Sequence, residues 1–221
     1  MTSKIIFHYF CGRGIGEPIR LIFAIGGVEF DDRRYSIDEF SELEEFKAKL
    51  PFGQIPVLEI DGSFIGQTDS IARLAARLAN LYPSAAIDAA RSDMIVLAQA
   101  EIQSAIAKMN FDGVPGAPGT KLRPEDQRKK LVGEWCEAML PAILGRLENL
   151  AGTNAMVGEQ LSWADVCMFN RLNHLLDIDD QILSNGYPNL QATYTRIADL
   201  SAVKTWIAHH PEDYPRQHSA S

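Results

Sequence analysis

Along the first eighty residues the spacing of apolar and polar positions changes period several times. Lys4 to Tyr9 is a short β-branched and aromatic run, which predicts a buried strand. Glu17-Pro18 then opens a helical pattern with Ile19, Ile22, Phe23 and Ile25 on it. Pro18 suits a first turn, and Gly26-Gly27 stops the helix. Glu29 to Tyr35 predicts a second strand, and Asp38 to Leu50 an irregular, polar helical stretch closed by Pro51. Pro56 to Ile60 and Ser63 to Gly66 flank an Asp61-Gly62 pair, a strong local hairpin signal. Gln67 to Leu81 places Ile71, Leu74, Ala75 and Leu78 on one face of an amphipathic helix. The order β-α-β-(α)-β-β-α is thioredoxin-like.

Beyond Leu81 the pattern is helical. Tyr82 to Ala86 reads as a linker, and no later segment reads clearly as a strand. Asp88 to Asn110 carries Ile95, Ala98, Ile102, Ala105 and Met109 at helical spacing. Asp112 to Thr120, rich in glycine and proline, is a loop. Pro124 to Leu150 resumes a long helix in which Pro141 predicts a kink or break. Ser162-Trp163-Ala164-Asp165 opens another, with Ser162 as N-cap and Asp165 at the third position in a variant of the capping box. Shorter helical patterns near Asn189–Asp199 and Ser201–His209 follow, then a polar tail. The expected division is an α/β thioredoxin-like domain over 1–81 and an all-α domain over 88–210.

Composition narrows the function. With 221 residues, 46% hydrophobic and 23% charged, the chain is an ordinary globular protein. A net charge of −8 argues against a general binder of phosphate backbones. The longest apolar stretch, Leu21 to Val28, is far short of the roughly 20 residues a membrane span needs. The apolar run after Met1 to Lys4 is too short for a signal peptide. Cys11, Cys136 and Cys167 are odd in number and widely spaced, as free thiols in a reducing compartment would be. A cytoplasmic location is expected. His209 and His210 point about 100° apart on a helix, which disfavours a metal site even with Asp213 nearby. Cys11 invites a redox reading and fits a loop thiol better. Walker A, GxGxxG and GxSxG sequences are absent.

The densest motif is Leu50-Pro51-Phe52-Gly53-Gln54-Ile55-Pro56. Pro56 opens a predicted strand, which fits an edge strand or a cis Ile55-Pro56 bond; only about 5–6% of X-Pro bonds are cis. Together with Tyr9-Phe10, Arg13-Gly14, Glu17-Pro18-Ile19-Arg20, Glu59-Ile60-Asp61-Gly62, Gln67-Thr68-Asp69-Ser70-Ile71-Ala72-Arg73 and Ser162-Trp163-Ala164-Asp165, this segment closely resembles the cytosolic glutathione transferases. The resemblance is to the sigma class in particular, whose haematopoietic prostaglandin D synthases look similar over the same blocks. The motifs recur in order over nearly the whole chain.

That resemblance implies a role for Tyr9. A free thiol has a pKa of about 8.5, so only about 3% is thiolate at pH 7. Lowering the pKa by about two units takes about 2.7 kcal/mol, and one charge-assisted hydrogen bond is worth about 1.5–3 kcal/mol. The resemblance places the Tyr9 hydroxyl as that donor, whereas the residue alone reads as an ordinary half-buried strand tyrosine. The resemblance also implies the cis form of the Ile55-Pro56 bond, and the Ile55 backbone would pair with the cysteinyl unit as a short β-augmentation. Gln67 and Thr68, at a helix start, would hold the γ-glutamyl carboxylate. Gly53 belongs to the same motif; Lys47 and Gln54 are candidates for the glycyl carboxylate. The aromatic contact expected in this stretch is Phe40, or Leu43 stands in its place. Glu101 falls where the family offers an acid to the γ-glutamyl amine of the neighbouring subunit, and reads equally as a solvated helix face.

The family pattern also implies an apolar electrophile pocket from Phe10, Ile15, Gln103 and Lys108, with Cys167 behind it. Two positions depart from the pattern. Ile15 stands where the prostaglandin synthases carry an arginine, and Gln54 replaces a frequent lysine, so two cations near the tripeptide are missing. Aromatic residues of a prostaglandin pocket are also missing from the matched positions. The implied activity is glutathione conjugation to apolar electrophiles, with glutathione as co-substrate and no metal or organic cofactor. The implied partners are glutathione, small apolar electrophiles and a second copy of the chain in a homodimer, without nucleic acid or membrane. A prostaglandin-type isomerase and a non-catalytic, crystallin-like ligand binder are the alternatives.

Overall fold

Strand β1 (Ile5–Phe10) is the central strand of a computed structural model that describes residues 3–112, 121–184 and 186–214. Its apolar run is buried because it pairs on both edges. On one side lies β2 (Asp31–Tyr35), parallel; on the other lies β3 (Val57–Ile60), antiparallel, which pairs with β4 (Ser63–Gly66). The sheet order is β2-β1-β3-β4, the mixed four-strand arrangement of a thioredoxin-like domain. The β3–β4 turn forms at Asp61 (φ 49°) and Gly62 (φ 83°), where the hairpin signal placed it.

Helix α1 (Glu17–Gly26) follows β1, and Gly27 ends it in the left-handed conformation (φ 64°). The irregular stretch after β2 forms two short helices, α2 (Ile37–Glu42) and α3 (Glu44–Lys47), broken at Leu43. A capping box between Ser36 and Glu39 starts α2, yet neither helix buries a residue. Helix α4 (Thr68–Leu78) is capped by Ala79 and followed by Asn80, whose φ of 56° releases the chain. One expectation fails here: Leu78 is exposed, and the buried face is Ile71, Ala72, Ala75, Ala76 and Ala79. The reason is proximity. A Cβ on Gly26 of α1 would lie 2.7 Å from the Ala79 Cα, so the seam between the helices admits small residues only.

The helical part contains α5 (Ala86–Ala98), α6 (Ala100–Asn110), β5 (Phe111–Asp112), β6 (Lys121–Leu122), α7 (Glu125–Ala138), α8 (Leu140–Leu150), α9 (Trp163–Leu176) and α10 (Pro188–Ala198). The single helix expected over 88–110 is interrupted at Gln99, which is buried while Ala98 is exposed. The short β5–β6 pair is a strand signal too brief to show as a pattern; most of the expected loop between them lies outside the described residues. The break before Pro141 occurs at Met139. Helix α9 is buried along almost its whole length. Asp165 accepts hydrogen bonds from the Ser162 amide and hydroxyl (both 2.9 Å), the Met156 amide (2.8 Å) and Arg196 (3.2 Å). Trp163 donates its indole N–H to Ser92 on α5 (2.9 Å), and the Glu148 carboxylate on α8 caps the Asn189 and Leu190 amides of α10.

The chain divides into two compact units, residues 84–196 and residues 1–83 joined by 197–221. Residues 197–210, counted with the all-α domain in the expected division, group by contact with the first unit. Helix α11 (Ser201–His209), the 3-10 turn Pro211–Asp213 and Tyr214 are tied by side-chain hydrogen bonds to α1 and β2. Trp206 and Tyr214 both donate to Glu17 (2.7 Å each), and Arg34 donates to Asp213 (2.6 Å).

His8 lies on the sheet beside Tyr35, Phe46 and Phe64. Its ring nitrogens face the Tyr35 hydroxyl (2.8 Å) and the Glu59 carboxylate (3.2 Å), which satisfies a neutral imidazole that donates from Nε2. Burial lowers its pKa, and Glu59 opposes that in part. The unfolded chain takes up a proton below about pH 6.5 that the folded chain resists. Stability is therefore expected to fall as pH drops through that region. Urea midpoints at stepped pH check this, and His8→Asn should flatten the slope.

Candidate active site

The register of the sheet gathers the expected glutathione residues at one end. His8 pairs with Val57, so Tyr9 and Phe10 run on beside Pro56 and Ile55. Val57 in turn pairs with Gly66, which brings Gln67 and Thr68 next to the same end of the hairpin. Phe10 pairs with Tyr35, beyond which α2 and α3 begin. The carboxyl ends of β1, β2 and β4 thus meet the amino end of β3.

Tyr9 is 9% exposed, with its ring lodged over the turn before α1. The Ile15 amide donates to the phenol oxygen (3.2 Å), which occupies an acceptor position and leaves the O–H proton to be donated elsewhere. Burial raises the phenol pKa; the Ile15 amide and the Arg20 charge pull it back, and Glu17 pushes it up. The group is therefore a neutral donor, not a base, at physiological pH. The Arg20 guanidinium lies 5.6 Å from the ring centre. Ile15, noted above for lacking a charge, contributes through its backbone instead.

Two glycines that the sequence reading did not single out make room for the ring. A Cβ on Gly14 (φ 43°) would lie 2.6 Å from the Tyr9 hydroxyl, and one on Gly16 would lie 2.8 Å from Cε1 and Cγ of the ring. Both approaches need a residue without a side chain. Gly16→Ala is expected to push the ring off its seat and lower kcat/KM about 100-fold, the scale for a reacting group misplaced by about 1 Å. Steady-state kinetics on a variant with unchanged circular dichroism checks this.

The Ile55-Pro56 bond is cis, the second of the two sequence alternatives. Gly53 has φ 63°, Gln54 is exposed and Ile55 is half-buried. Gln67 is the residue before α4 and has φ 70°, a conformation that costs a non-glycine residue about 1–3 kcal/mol and clusters at ligand sites. Its side chain makes no cap bond, so the first amides of α4 face outward past Gln67 and Thr68.

Phe40 rather than Leu43 continues the aromatic chain. Its ring is edge-on to Phe10 (5.6 Å), which is edge-on to Tyr9 (5.6 Å), while half-buried Leu43 marks the helix break. Lys47 lies 5.8 Å over the Phe40 ring and donates to the Ser41 carbonyl (2.8 Å) and Glu44 (2.6 Å), so its charge is already engaged locally. Cys11 is an exposed thiol.

In the helical unit, Glu101 is exposed and takes a hydrogen bond from Arg146 (2.9 Å), a surface pair of α6 and α8. Gln103 accepts from Arg171, and Cys167 is buried one turn before Arg171 on α9. Lys108 is exposed, and its carbonyl accepts from Arg123 (2.9 Å). No group of three His, Cys, Asp or Glu residues able to hold a metal ion is found among the described residues.

Comparison with known proteins decides the family. Residues 6–77 match the model of the glutathione S-transferase N-terminal domain, and residues 119–210 match that of the glutathione S-transferase C-terminal domain. A probable glutathione S-transferase of Caenorhabditis elegans is 30% identical over 202 residues, 91% of this chain and 94% of its own. The chain belongs to the glutathione S-transferase family. Rat glutathione S-transferase alpha-3 is 33% identical, over 94% of this chain and 90% of that protein. A solved structure of rat hPGDS complexed with a quinoline superposes with a TM-score of 0.79 at 25% identity, covering 94% of this chain and 98% of that one. As a glutathione S-transferase the protein uses glutathione as co-substrate and needs no further cofactor.

Proposed function

We propose that this transferase conjugates glutathione to small apolar electrophiles, with the Tyr9 hydroxyl donating a hydrogen bond to the thiolate. The observation that carries the reading is the Tyr9 phenol itself: buried, kept protonated, and with one acceptor position filled by the Ile15 amide. A neutral donor stabilises an anion without competing for its proton. The thiol proton is lost to solvent, the thiolate sulfur forms a bond to the electrophilic carbon, and the leaving group departs with its electron pair. Ile55 would pair its backbone with the cysteinyl unit. Gln67, Thr68 and the first amides of α4 would take the γ-glutamyl carboxylate, supported by the helix dipole. Phe40 would pack on the tripeptide and Gln54 would reach its glycyl end, whereas Lys47 would have to leave Glu44 to do so. Glu101 would have to exchange Arg146 for a ligand of the neighbouring subunit.

The order of motifs in the first domain favours a sigma-like enzyme, while named relatives are alpha-class. The likeness to hPGDS supports a second reading, a glutathione-dependent prostaglandin isomerase. A homodimer in the cytoplasm is the assembly and location proposed. The test has two measurements. One titrates the thiol of glutathione on and off the protein; the other offers an aromatic halide and a prostaglandin endoperoxide in parallel. A lowered thiol pKa with conjugate as the main product upholds the proposal. Unchanged thiol acidity, or dye binding without turnover, overturns it in favour of a ligand binder.

A further inference from the structure

Glu17 opens α1 immediately after Gly16, and its carboxyl group is fully buried. One oxygen accepts from the Trp206 indole N–H and the Tyr214 hydroxyl, each at 2.7 Å; the other accepts from Arg20 at 3.2 Å. The Arg20 guanidinium reaches further, to the Gly12 carbonyl (2.7 Å), the Phe10 carbonyl (3.1 Å) and Asp32 (3.0 Å). The Phe10 carbonyl ends β1 and the Gly12 carbonyl lies in the turn that follows, which carries the Ile15 amide and the Gly14–Gly16 seat of the Tyr9 ring. The same C-terminal segment touches that turn a second time, where the Arg13 guanidinium lies 5.0 Å over the Tyr214 ring. A third tie is the Arg34–Asp213 pair, with Arg34 also on Asp32 (2.7 Å).

We propose that Trp206 and Tyr214 are positioning residues for thiol activation: by donating to Glu17 they set Arg20, and through Arg20 the turn on which the Tyr9 hydroxyl is aimed. The proposal rests on the reading of Tyr9 as the thiolate's donor. A buried carboxylate that loses a donor must satisfy its oxygen from what remains. In each single variant the other aromatic and Arg20 remain, and in the double variant Arg20; a guanidinium drawn toward Glu17 loosens its hold on the Gly12 and Phe10 carbonyls. The Ile15 amide and the Gly16 seat then shift relative to the phenol. Tyr214 is well suited to a fixed strut: burial and the Glu17 charge raise its phenol pKa well above the ordinary value, which keeps it a donor at neutral pH.

The test uses the full chain with Tyr214→Phe, Trp206→Phe, the double variant and Tyr9→Phe. For each, ultraviolet absorbance of the bound thiolate gives the thiol pKa, and kinetics give KM for glutathione and kcat from mildly acidic to alkaline pH. In the two single variants the bound thiol pKa is expected to rise by about one unit, with about a tenfold loss of kcat at neutral pH. KM for glutathione should change less than about twofold, because the amides of α4 and the Ile55 backbone are untouched. The double variant should lose at least the product of the two singles, since each single leaves the other donor on the same Glu17 oxygen. A residue that merely holds the fold together would lower the melting temperature and leave the thiol pKa in place; that outcome, with Tyr9→Phe still raising the pKa, overturns the proposal alone. If Tyr9→Phe also leaves the thiol pKa unchanged, the role of Tyr9 falls first. Should Trp206→Phe not fold, Tyr214→Phe, which deletes a single oxygen, decides the matter.

Discussion

Tyr9→Phe is expected to lower kcat/KM for conjugation about 10- to 150-fold at neutral pH, the equivalent of the 1.5–3 kcal/mol of one hydrogen bond to a charged partner. The ring, its seat on Gly14 and Gly16 and its contact with Phe10 all remain in that variant, so the loss isolates the hydroxyl. The pH dependence carries the stronger signature. A thiol without its donor titrates near its ordinary value of about 8.5, so the defect should shrink steadily as pH rises toward that value and vanish above it. A deficit of constant size across the same range would mean that the hydroxyl acts on the leaving group or the electrophile, not on the sulfur.

The largest expected loss of stability comes from Asp165→Ala. Four donors converge on that fully buried carboxylate: two from Ser162, the Met156 amide and Arg196. Removing the acceptor strands the Ser162 and Met156 amides, at about 1–3 kcal/mol each, while part-exposed Arg196 keeps the Thr153 carbonyl, so a loss of about 3–5 kcal/mol is expected. For a chain of this size that corresponds to a melting temperature lower by about 10 °C. Calorimetry or a urea midpoint measures it. Asp165→Asn keeps one carbonyl oxygen for the Met156 amide and should recover part of the loss, whereas a loss below about 1 kcal/mol in Asp165→Ala would show that the surrounding donors find water instead.

Much of this was legible from local chemistry. The Asp61-Gly62 hairpin, the start of α1 at Glu17-Pro18 and the start of α9 at Ser162 depend on residues next to one another, and each occurs where its own turn or cap chemistry puts it. Tyr9, Ile55, Pro56, Gln67 and Thr68 were legible as a set through the family's motifs, and the strand register explains why such distant residues share one end of a sheet. The parts that escaped are those decided by contacts far apart in sequence. Leu78 fits its helical stripe, yet the Gly26–Ala79 approach turns the stripe away from it. Gln99 breaks a helix without glycine or proline to announce the break. Gly14 and Gly16 read as loop glycines until the Tyr9 ring lies against them. The burial of Glu17 is invisible locally, since its partners arrive 189 and 197 positions later.

That last separation has a consequence for how the protein is made. The sheet unit takes material from both sides of the helical one, with residues 84–196 intervening. A chain emerging from the ribosome at about 5–20 residues per second has its β-strands and Tyr9 outside for several seconds before Trp206 follows. During that interval Glu17 and Arg20 have each other and Asp32 but neither aromatic donor, so the nascent α/β half is a partly braced scaffold. Its final assembly waits for residues 197–214, which emerge after the whole intervening helical segment.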